Sequence, residues 1–481
     1  MWWTLLKILY IAVVVIVALR IIYDTEKTGK ALAFLLLVIF VPVLGIGVYL
    51  LFGVNVRKRK LFKNKSINDK EFFERLSPTT QLDDEEVLNN LPPELEVGRK
   101  IIELVKSETG SQVSNDNKVD LLINGENKFP ELKKAILLAK HFIHIEYYIF
   151  EDDELGRSIE ELLIKKANEG INVRLIYDDV GSRSIRSHMI PRMKAAGIKA
   201  HPFYEIKYLL LANRLNYRNH RKITIIDGEV AFVGGINIGD EYINNKDDQP
   251  FWRDSHLMLK GSAIHYLQYL FITDWNYCSD EDDIDPAMKY FPIREIGNGN
   301  QYVQIAASGP DSDSATIHHS MLQTINVAKK ELLITTPYFI PGESIEDAIC
   351  ISAQSGVKVK LLVPEKSDNI LVDLASSYYY KRLLQAGVEI YRYTKGFVHS
   401  KTLIADQTIS VIGTANMDIR SFDLNFEVNA IVYDRVIAGQ LKEQFEQDLE
   451  FSYKIDLEDW ENRSFFLEFL ENVARLFSPI L

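Results

Sequence analysis

His220-Arg221-Lys222-Ile223-Thr224-Ile225-Ile226-Asp227 and His399-Ser400-Lys401-Thr402-Leu403-Ile404-Ala405-Asp406 are two copies of one pattern, HxKxxxxD. Each is followed, at the same offset from its Asp, by GxxN: Gly234-Gly235-Ile236-Asn237 in the first copy and Gly413-Thr414-Ala415-Asn416 in the second. An internal repeat of this kind decides the architecture before any single residue is interpreted. The context upstream repeats as well. His144 to Phe150 reads as a strand, Gly156 to Asn168 as a helix stopped by Gly170, and Asn172 to Tyr177 as another strand. Before the second copy, Leu332 to Thr336, Ser344 to Gln354 with Gly356, and Val357 to Val363 give the same order. Strand, helix, strand in both halves predicts an α/β fold of two tandem lobes related by a pseudo-two-fold axis.

Residues i and i+2 of a strand project to one side. His220 and Lys222 therefore point together, as do His399 and Lys401. If the lobes face each other, two imidazoles and two ammoniums meet in one pocket. The ammoniums supply charge where the non-bridging oxygens of a phosphodiester would sit. One imidazole can attack phosphorus while the other protonates the leaving oxygen. Asn237, Asn416 and the Thr414 hydroxyl are candidate donors to the same oxygens. No metal or other cofactor is required, because the positive charge is already present. Asp227 and Asp406 complete the six motif positions. Their odd offset turns them away from the histidines, so structural hydrogen bonds are expected of them.

Pairs like these resemble the phospholipase D superfamily, and the chain is most similar to bacterial cardiolipin synthases. The resemblance rests also on Phe129-Pro130, His144-Ile145-Glu146-Tyr147-Tyr148, Trp252-Arg253-Asp254-Ser255-His256, Phe271-Ile272-Thr273-Asp274-Trp275 and Asn416-Met417-Asp418-Ile419-Arg420-Ser421-Phe422. It implies condensation of two phosphatidylglycerols into cardiolipin with release of glycerol, through a phosphohistidine. His220 is assigned as nucleophile and His399 as acid and base, although the near-symmetry of the halves leaves the exchange of roles open. The resemblance further implies a carboxylate behind each histidine. Glu427 fits that place in the second half. In the first half Asp248 falls at the equivalent offset, in a charged loop, and Asp254 is preferred. Gly235 stands where the second copy has Thr414, so the halves are chemically unequal. Tyr147, Tyr148, Tyr338 and Phe339 are candidates to keep water from the intermediate, with ordinary core positions as the alternative.

Ala31 to Val56 carries no charge and is long enough for a membrane span. Trp2 to Tyr23 is a second candidate, interrupted by Lys7 and Arg20, both near enough to its ends to snorkel. A transmembrane helical hairpin is therefore expected, its basic flank Arg57, Lys58, Arg59, Lys60, Lys63 and Lys65 on the cytoplasmic side with the catalytic body. The expected divisions are residues 1–60 for the spans and flank, 61–110 for a polar tether, 111–295 for the first lobe and 296–481 for the second. The second lobe ends in an amphipathic helix about Phe465 to Phe477, suited either to the membrane or to packing on the lobe.

A net charge of −12 argues against nucleic acid as a partner and so against a nuclease of the same superfamily. Phosphatidylglycerol, cardiolipin and the bilayer are the expected partners. Two cysteines, Cys278 and Cys350, with no CxxC, suggest neither a disulfide framework nor a thiolate zinc site. The run Asp280 to Asp283 reads as a solvated loop. A phospholipase or a phosphatidylserine synthase would use the same residues with water or serine as acceptor. A non-enzymatic relative would be expected to have lost one of the four His and Lys, and all four are present.

Overall fold

Alternating β-branched and aliphatic residues around each HxK pair form strands buried on both faces, and these strands organise the molecule. The computed structural model describes residues 2–25, 28–52, 55–80, 84–204, 217–245, 249–279, 282–285, 288–292 and 299–478. Asp248, Asp280 and Glu281 lie outside them. The chain divides into two units, residues 1–69 with 206–217, and residues 70–205 with 218–481.

In the first unit, α1 (Trp2–Asp24) is one helix long and apolar enough to cross a membrane. The segment expected as a second span is not one helix. It folds as α2 (Thr28–Phe40) and α3 (Pro42–Phe52), of 13 and 11 residues. At about 1.5 Å per residue neither reaches across a hydrocarbon core of about 30 Å. The break has a local cause. Pro42 has no N–H to continue the helix, and Gly45 allows close approach, since a Cβ there would lie 2.5 Å from the Leu37 carbonyl. The two helices fold back on each other, bringing the Phe34 and Tyr49 rings edge to face at 5.6 Å. Tyr49 OH donates to Asp24 Oδ2 at 3.3 Å, beside Arg20 Nε at 3.0 Å. The end of α3 thus returns to the end of α1, over a small core of Ile21, Phe34, Val38 and Tyr49.

The second unit contains both repeats. The first contributes β1 (Ser114–Ile123), β2 (Phe142–Tyr147), β3 (Asn172–Tyr177), β4 (Lys199–Pro202), β5 (Lys222–Ile226), β6 (Val230–Gly234), β7 (Phe251–Arg253) and β8 (Ser255–Lys260). The second contributes β9 (Gln301–Ser308), β10 (Glu331–Thr335), β11 (Phe339–Ile340), β12 (Lys358–Pro364), β13 (Glu389–Tyr393), β14 (Gly396–Val398), β15 (Thr402–Ala405), β16 (Ile409–Gly413), β17 (Met417–Asp418), β18 (Glu427–Tyr433) and β19 (Ser452–Lys454). One sheet runs through both, in the order β19-β13-β12-β10-β15-β16-β18-β9-β1-β8-β6-β5-β2-β3-β4. Read from the β1–β9 junction outward, the strand order of one lobe repeats in the other, as a pseudo-two-fold requires. The expected helices are present as Glu154–Asn168 and Glu343–Gln354, joining parallel pairs β2–β3 and β10–β12.

Each lobe has its own apolar core. The helix Arg99–Thr109, from the stretch expected as tether, buries Ile101, Ile102 and Val105 in the core of the second lobe. Asp282, expected in a solvated run, is instead an ion-pair hub: it accepts from Lys199 Nζ at 2.5 Å and from Arg174 Nη2 at 3.1 Å.

Candidate active site

The four motif His and Lys side chains are buried where the two lobes meet. Two cross-lobe contacts bring them there. The residue before His220, Asn219, bridges to Phe426, and His220 N donates to Phe426 O at 2.9 Å. On the other side β14, which leads into His399, pairs in parallel with β7, and His399 N donates to Arg253 O at 2.7 Å. Each histidine is thereby delivered beside the residue that follows its partner segment, and that residue is a carboxylate.

The result is a crossed pairing. His220 Nδ1 lies 2.9 Å from Glu427 Oε1 and 3.0 Å from Oε2. His399 Nδ1 lies 2.7 Å from Asp254 Oδ2. Sequence reasoning found both carboxylates but matched each to the histidine of its own half; in the structure each serves the opposite lobe. The order of residues along the chain contains no signal for this exchange, which follows from the β7–β14 and Asn219–Phe426 contacts. With Nδ1 committed to a carboxylate, Nε2 is the nitrogen left to face a substrate.

The carboxylates are held differently. Glu427 accepts from Thr414 Oγ1 at 2.5 Å and from Asn425 Nδ2 at 3.1 Å. Asp254 accepts from its neighbour Ser255 N at 2.7 Å, and it packs against Gly235 so closely that a Cβ there would meet Oδ1 at 2.2 Å. The Gly235/Thr414 inequality of the repeats thus has a structural reason. The shorter Asp254 needs the space that Thr414 fills with a donor.

Lys222 Nζ donates to His220 O at 2.8 Å, and Lys401 Nζ donates to His399 O. Both ammoniums also feel the far lobe. Burial, partly offset by Glu427 and reinforced by Lys401, pushes Lys222 down to about 7. Burial, opposed by Asp254 and Glu427, pushes Lys401 down to about 8. Burial likewise lowers His220 to about 4 despite Glu427, and lowers His399 to about 3 with help from Lys401. Both imidazoles thus favour the unprotonated form at neutral pH. Burial acts against ionisation of Glu427 and Asp254, but the facing His and Lys outweigh it and hold both carboxyls below their ordinary values.

The motif aspartates stand apart from this cluster. Asp227 accepts from the backbone N–H groups of Lys140, His141 and Phe142 at 2.7–2.8 Å. Asp406 accepts from those of Lys329, Lys330 and Glu331 at 2.7–2.9 Å. Both have left-handed backbones, φ 55° and 51°. They tie the hairpin turn after each HxK strand to the start of the neighbouring strand. Asn237 is also occupied: its Oδ1 accepts from Ile149 N at 3.3 Å and its Nδ2 donates to Tyr242 OH at 3.2 Å. Asn416 is buried beside Asp418, and its Oδ1 has no protein partner.

Aromatic rings frame the histidines. Tyr148 meets His220 edge-on at 4.8 Å, Trp252 lies 5.0 Å from His399, and Phe397 lies 6.0 Å from it. Tyr338 joins this wall through Phe397, with ring centroids 6.4 Å apart. Tyr147 and Phe339 are fully buried core residues, so only Tyr148 and Tyr338 of the four candidates border the site. Phe397 had no signal in the sequence. Nor did the buried Arg221–Asp274 ion pair, which with Asn219 Nδ2 donating to Glu146 Oε1 at 2.6 Å braces the strand leading into Lys222. Among the described residues, no group of three or more His, Cys, Asp or Glu is placed to hold a metal ion.

A family model described as "Cardiolipin synthase, PLD-like domain" matches residues 132–275 and 321–449, one segment in each lobe. The chain is 40% identical over 475 residues to the cardiolipin synthase of Halalkalibacterium halodurans, covering 99% of this chain and 93% of that protein. It is 39% identical to cardiolipin synthase 1 of Bacillus anthracis, over 100% of this chain and 94% of that one. The chain belongs to the cardiolipin synthase family. Membership makes it an enzyme of the phosphatidyltransferase class, associated with the membrane and with phospholipid biosynthesis. The Listeria innocua cardiolipin synthase shows the same relation, 40% identity over 99% of both chains. Among solved structures, phosphatidylserine synthase of Haemophilus influenzae shares the fold, with a TM-score of 0.58 at 13% identity over 80% of this chain and 100% of that one. Both segments of the family model hold one HxK pair and one of the crossed carboxylates or its supporting strand.

Proposed function

We propose that the enzyme transfers a phosphatidyl group from one phosphatidylglycerol to another through a phosphohistidine, releasing glycerol and forming cardiolipin. The observation that carries this reading is the crossed pairing, which equips two facing imidazoles with a carboxylate each and surrounds them with two ammoniums. In the first half-reaction His220 Nε2 attacks phosphorus as Nδ1–H donates to Glu427. The P–O bond to glycerol breaks, and the leaving oxygen takes its proton from His399. In the second, His399 removes the proton from the terminal hydroxyl of another phosphatidylglycerol, whose oxygen attacks phosphorus and displaces His220. Atoms and charge balance across the cycle, and one phosphodiester replaces another, so no nucleotide is consumed.

Lys222 and Lys401 neutralise the non-bridging oxygens in both steps. A bound phosphodiester restores the proton affinity that burial has removed from the lysines and from the acid histidine. The Thr414 and Asn425 donors to Glu427 favour its ionised form, which suits the residue behind a nucleophile that becomes positively charged. Asp254 has only Ser255 N, which suits the residue behind a histidine that must cycle its proton. The aromatic wall of Tyr148, Trp252, Phe397 and Tyr338 disfavours water at the intermediate. The basic flank after α3 supports a catalytic body on the cytoplasmic side.

The test is product analysis with the full-length protein in phosphatidylglycerol vesicles containing EDTA. Cardiolipin and glycerol are expected in equal amounts, with loss of both in His220→Ala and in His399→Ala. Label retained after an alkaline denaturing quench on His399→Ala but not on His220→Ala assigns the nucleophile. Phosphatidic acid without cardiolipin would make the enzyme a hydrolase and overturn the reading. No turnover would redirect the donor to CDP-diacylglycerol with serine as acceptor.

A further inference from the structure

The C-terminal helix Phe465–Arg475 is fastened to the second lobe by its polar side. Glu471 and Ala474 are its buried residues. Arg463 grips Glu471 with two hydrogen bonds, 2.7 Å to Oε1 and 3.1 Å to Oε2. Lys381 Nζ donates to Glu468 Oε1 at 2.9 Å, and the Arg475 guanidinium donates to Tyr378 OH while lying over that ring. At about 100° per residue, Glu471 stands opposite the middle of the arc formed by Phe465, Phe466, Phe469, Val473, Leu476 and Phe477. That arc faces outward: Phe465 is 81% exposed and Leu476 69%. A helix packed on a water-soluble body buries its apolar stripe and exposes its charges. This helix covers Leu467, Leu470, Glu471 and Ala474 but leaves its row of large apolar side chains exposed. Single exposed apolar residues are ordinary, but six on one face form a contiguous patch of the kind that marks an interaction surface.

The helix Ile370–Gln385 links this face to the site. Lys381 meets Glu468 and Tyr378 meets Arg475, so the two helices run antiparallel, and the last turn of the C-terminal helix heads toward the Ile370 end. Just before Ile370, Asp368 accepts from Tyr338 OH at 2.8 Å, and Tyr338 belongs to the aromatic wall beside His399. Ile370 itself is 79% exposed. The C-terminal helix lies beyond the segments 132–275 and 321–449 that the family model matches.

We propose that the outward face of the C-terminal helix docks on the bilayer interface. Its six apolar side chains enter the boundary of the acyl region, and the mouth of the site is held against the surface that supplies its lipid. The proposal rests on the lipid-substrate reading above. A bilayer is favoured over a second copy of the chain because the arc carries no polar or charged residue to set a register with a protein surface. Lys381, Arg463 and Arg475 lie at the base of the helix, where their contacts with Glu468, Glu471 and Tyr378 fix which face it turns outward.

Two measurements on the full-length chain test this. The first places an NBD fluorophore at Phe469→Cys in a Cys278→Ser, Cys350→Ser background and adds phosphatidylglycerol vesicles containing lipids brominated near the carbonyl. Blue-shifted emission and quenching are expected. The second compares Phe465→Asp/Phe469→Asp/Leu476→Asp with wild type on long-chain phosphatidylglycerol in vesicles and on short-chain phosphatidylglycerol in detergent micelles. Loss of interfacial attachment is expected to lower vesicle turnover about tenfold and to leave micellar turnover unchanged. A label that ignores vesicles, or equal losses on both substrate forms, overturns the proposal. So does an unresponsive label with a change in oligomeric state, which would assign the face to a second copy. A label that inserts while neither substrate form is converted by wild type would leave the docking face standing and sink the substrate reading.

Discussion

Gly235→Ala is expected to disable the enzyme without touching any reacting group. The added methyl carbon would lie 2.2 Å from Asp254 Oδ1 and 2.8 Å from its Cγ and Oδ2. Ordinary carbon–oxygen contact requires more than 3 Å, so the carboxylate must retreat by about 1 Å, on the order of the misplacement that costs about a hundredfold in rate. Asp254 has little room to do so. Its backbone N donates to Asn124 Oδ1 at 3.0 Å, and its O accepts from Asn124 N at 2.9 Å and Arg253 Nη1 at 2.7 Å. The bond that yields is the 2.7 Å contact to His399 Nδ1. Losing a charge-assisted hydrogen bond is worth about 1.5–3 kcal/mol, and a free ring also loses its tautomer and orientation. Glycerol release from phosphatidylglycerol vesicles should therefore fall about a hundredfold. Thr414→Gly is the reciprocal change. It removes the 2.5 Å donor to the ionised Glu427 but creates no clash, so a loss of about ten- to a hundredfold, the scale of one hydrogen bond to a charged group, is expected. Thermal unfolding of both variants reports whether the body stays folded. Gly235→Ala retaining activity within about twofold of wild type, well short of the misplacement cost, would refute the claim that Asp254 must hold His399.

Three further expectations follow from the same geometry. Lys222 and Lys401, at about 7 and about 8, must be protonated to receive a phosphodiester, so kcat/KM falls as pH rises through that interval. The kcat limb lies higher because the bound anion favours the ammoniums; coincident limbs in a pH–rate series would contradict this. Asp227→Asn and Asp406→Asn each weaken three backbone hydrogen bonds remote from the histidines. A stability loss of about 1–3 kcal/mol is expected, with turnover at permissive temperature little changed, and calorimetry beside activity separates the two. The Tyr49–Asp24 contact brings the ends of α1 and α3 together, so with the catalytic body on the proposed cytoplasmic side a single crossing by α1 is expected to put the N-terminus outside. A Thr4→Cys variant lacking Cys278 and Cys350 should react with an impermeant maleimide on intact cells; a protected N-terminus would mean that residues 31–56 open into a full span.

The residues proposed to do the chemistry were legible because they are local. A histidine and a lysine two positions apart share a face of a strand, and a repeated motif with a repeated GxxN announces two like lobes. The same period placed the strand–helix–strand units within a few residues of where they stand. The odd offset of Asp227 and Asp406 sufficed to separate them from the histidines. What the sequence could not determine depends on contacts between distant segments. Nothing along the chain says that Glu427 belongs behind His220 and Asp254 behind His399, because that exchange is made by strand pairing across the lobe boundary. For Asn237 only the structure shows that Ile149 N takes its Oδ1 and Tyr242 OH one of its two Nδ2 hydrogens, leaving the other for the proposed phosphate contact. An uncharged stretch of sufficient length reads as one span, and it takes the packing of Gly45 on Leu37 to show it folded back. Amphipathicity of Phe465 to Phe477 was plain from its period, but which face meets the protein was decided only by Glu471 and Arg463, since a helix has two sides and hydrophobicity alone does not say which one the fold will cover.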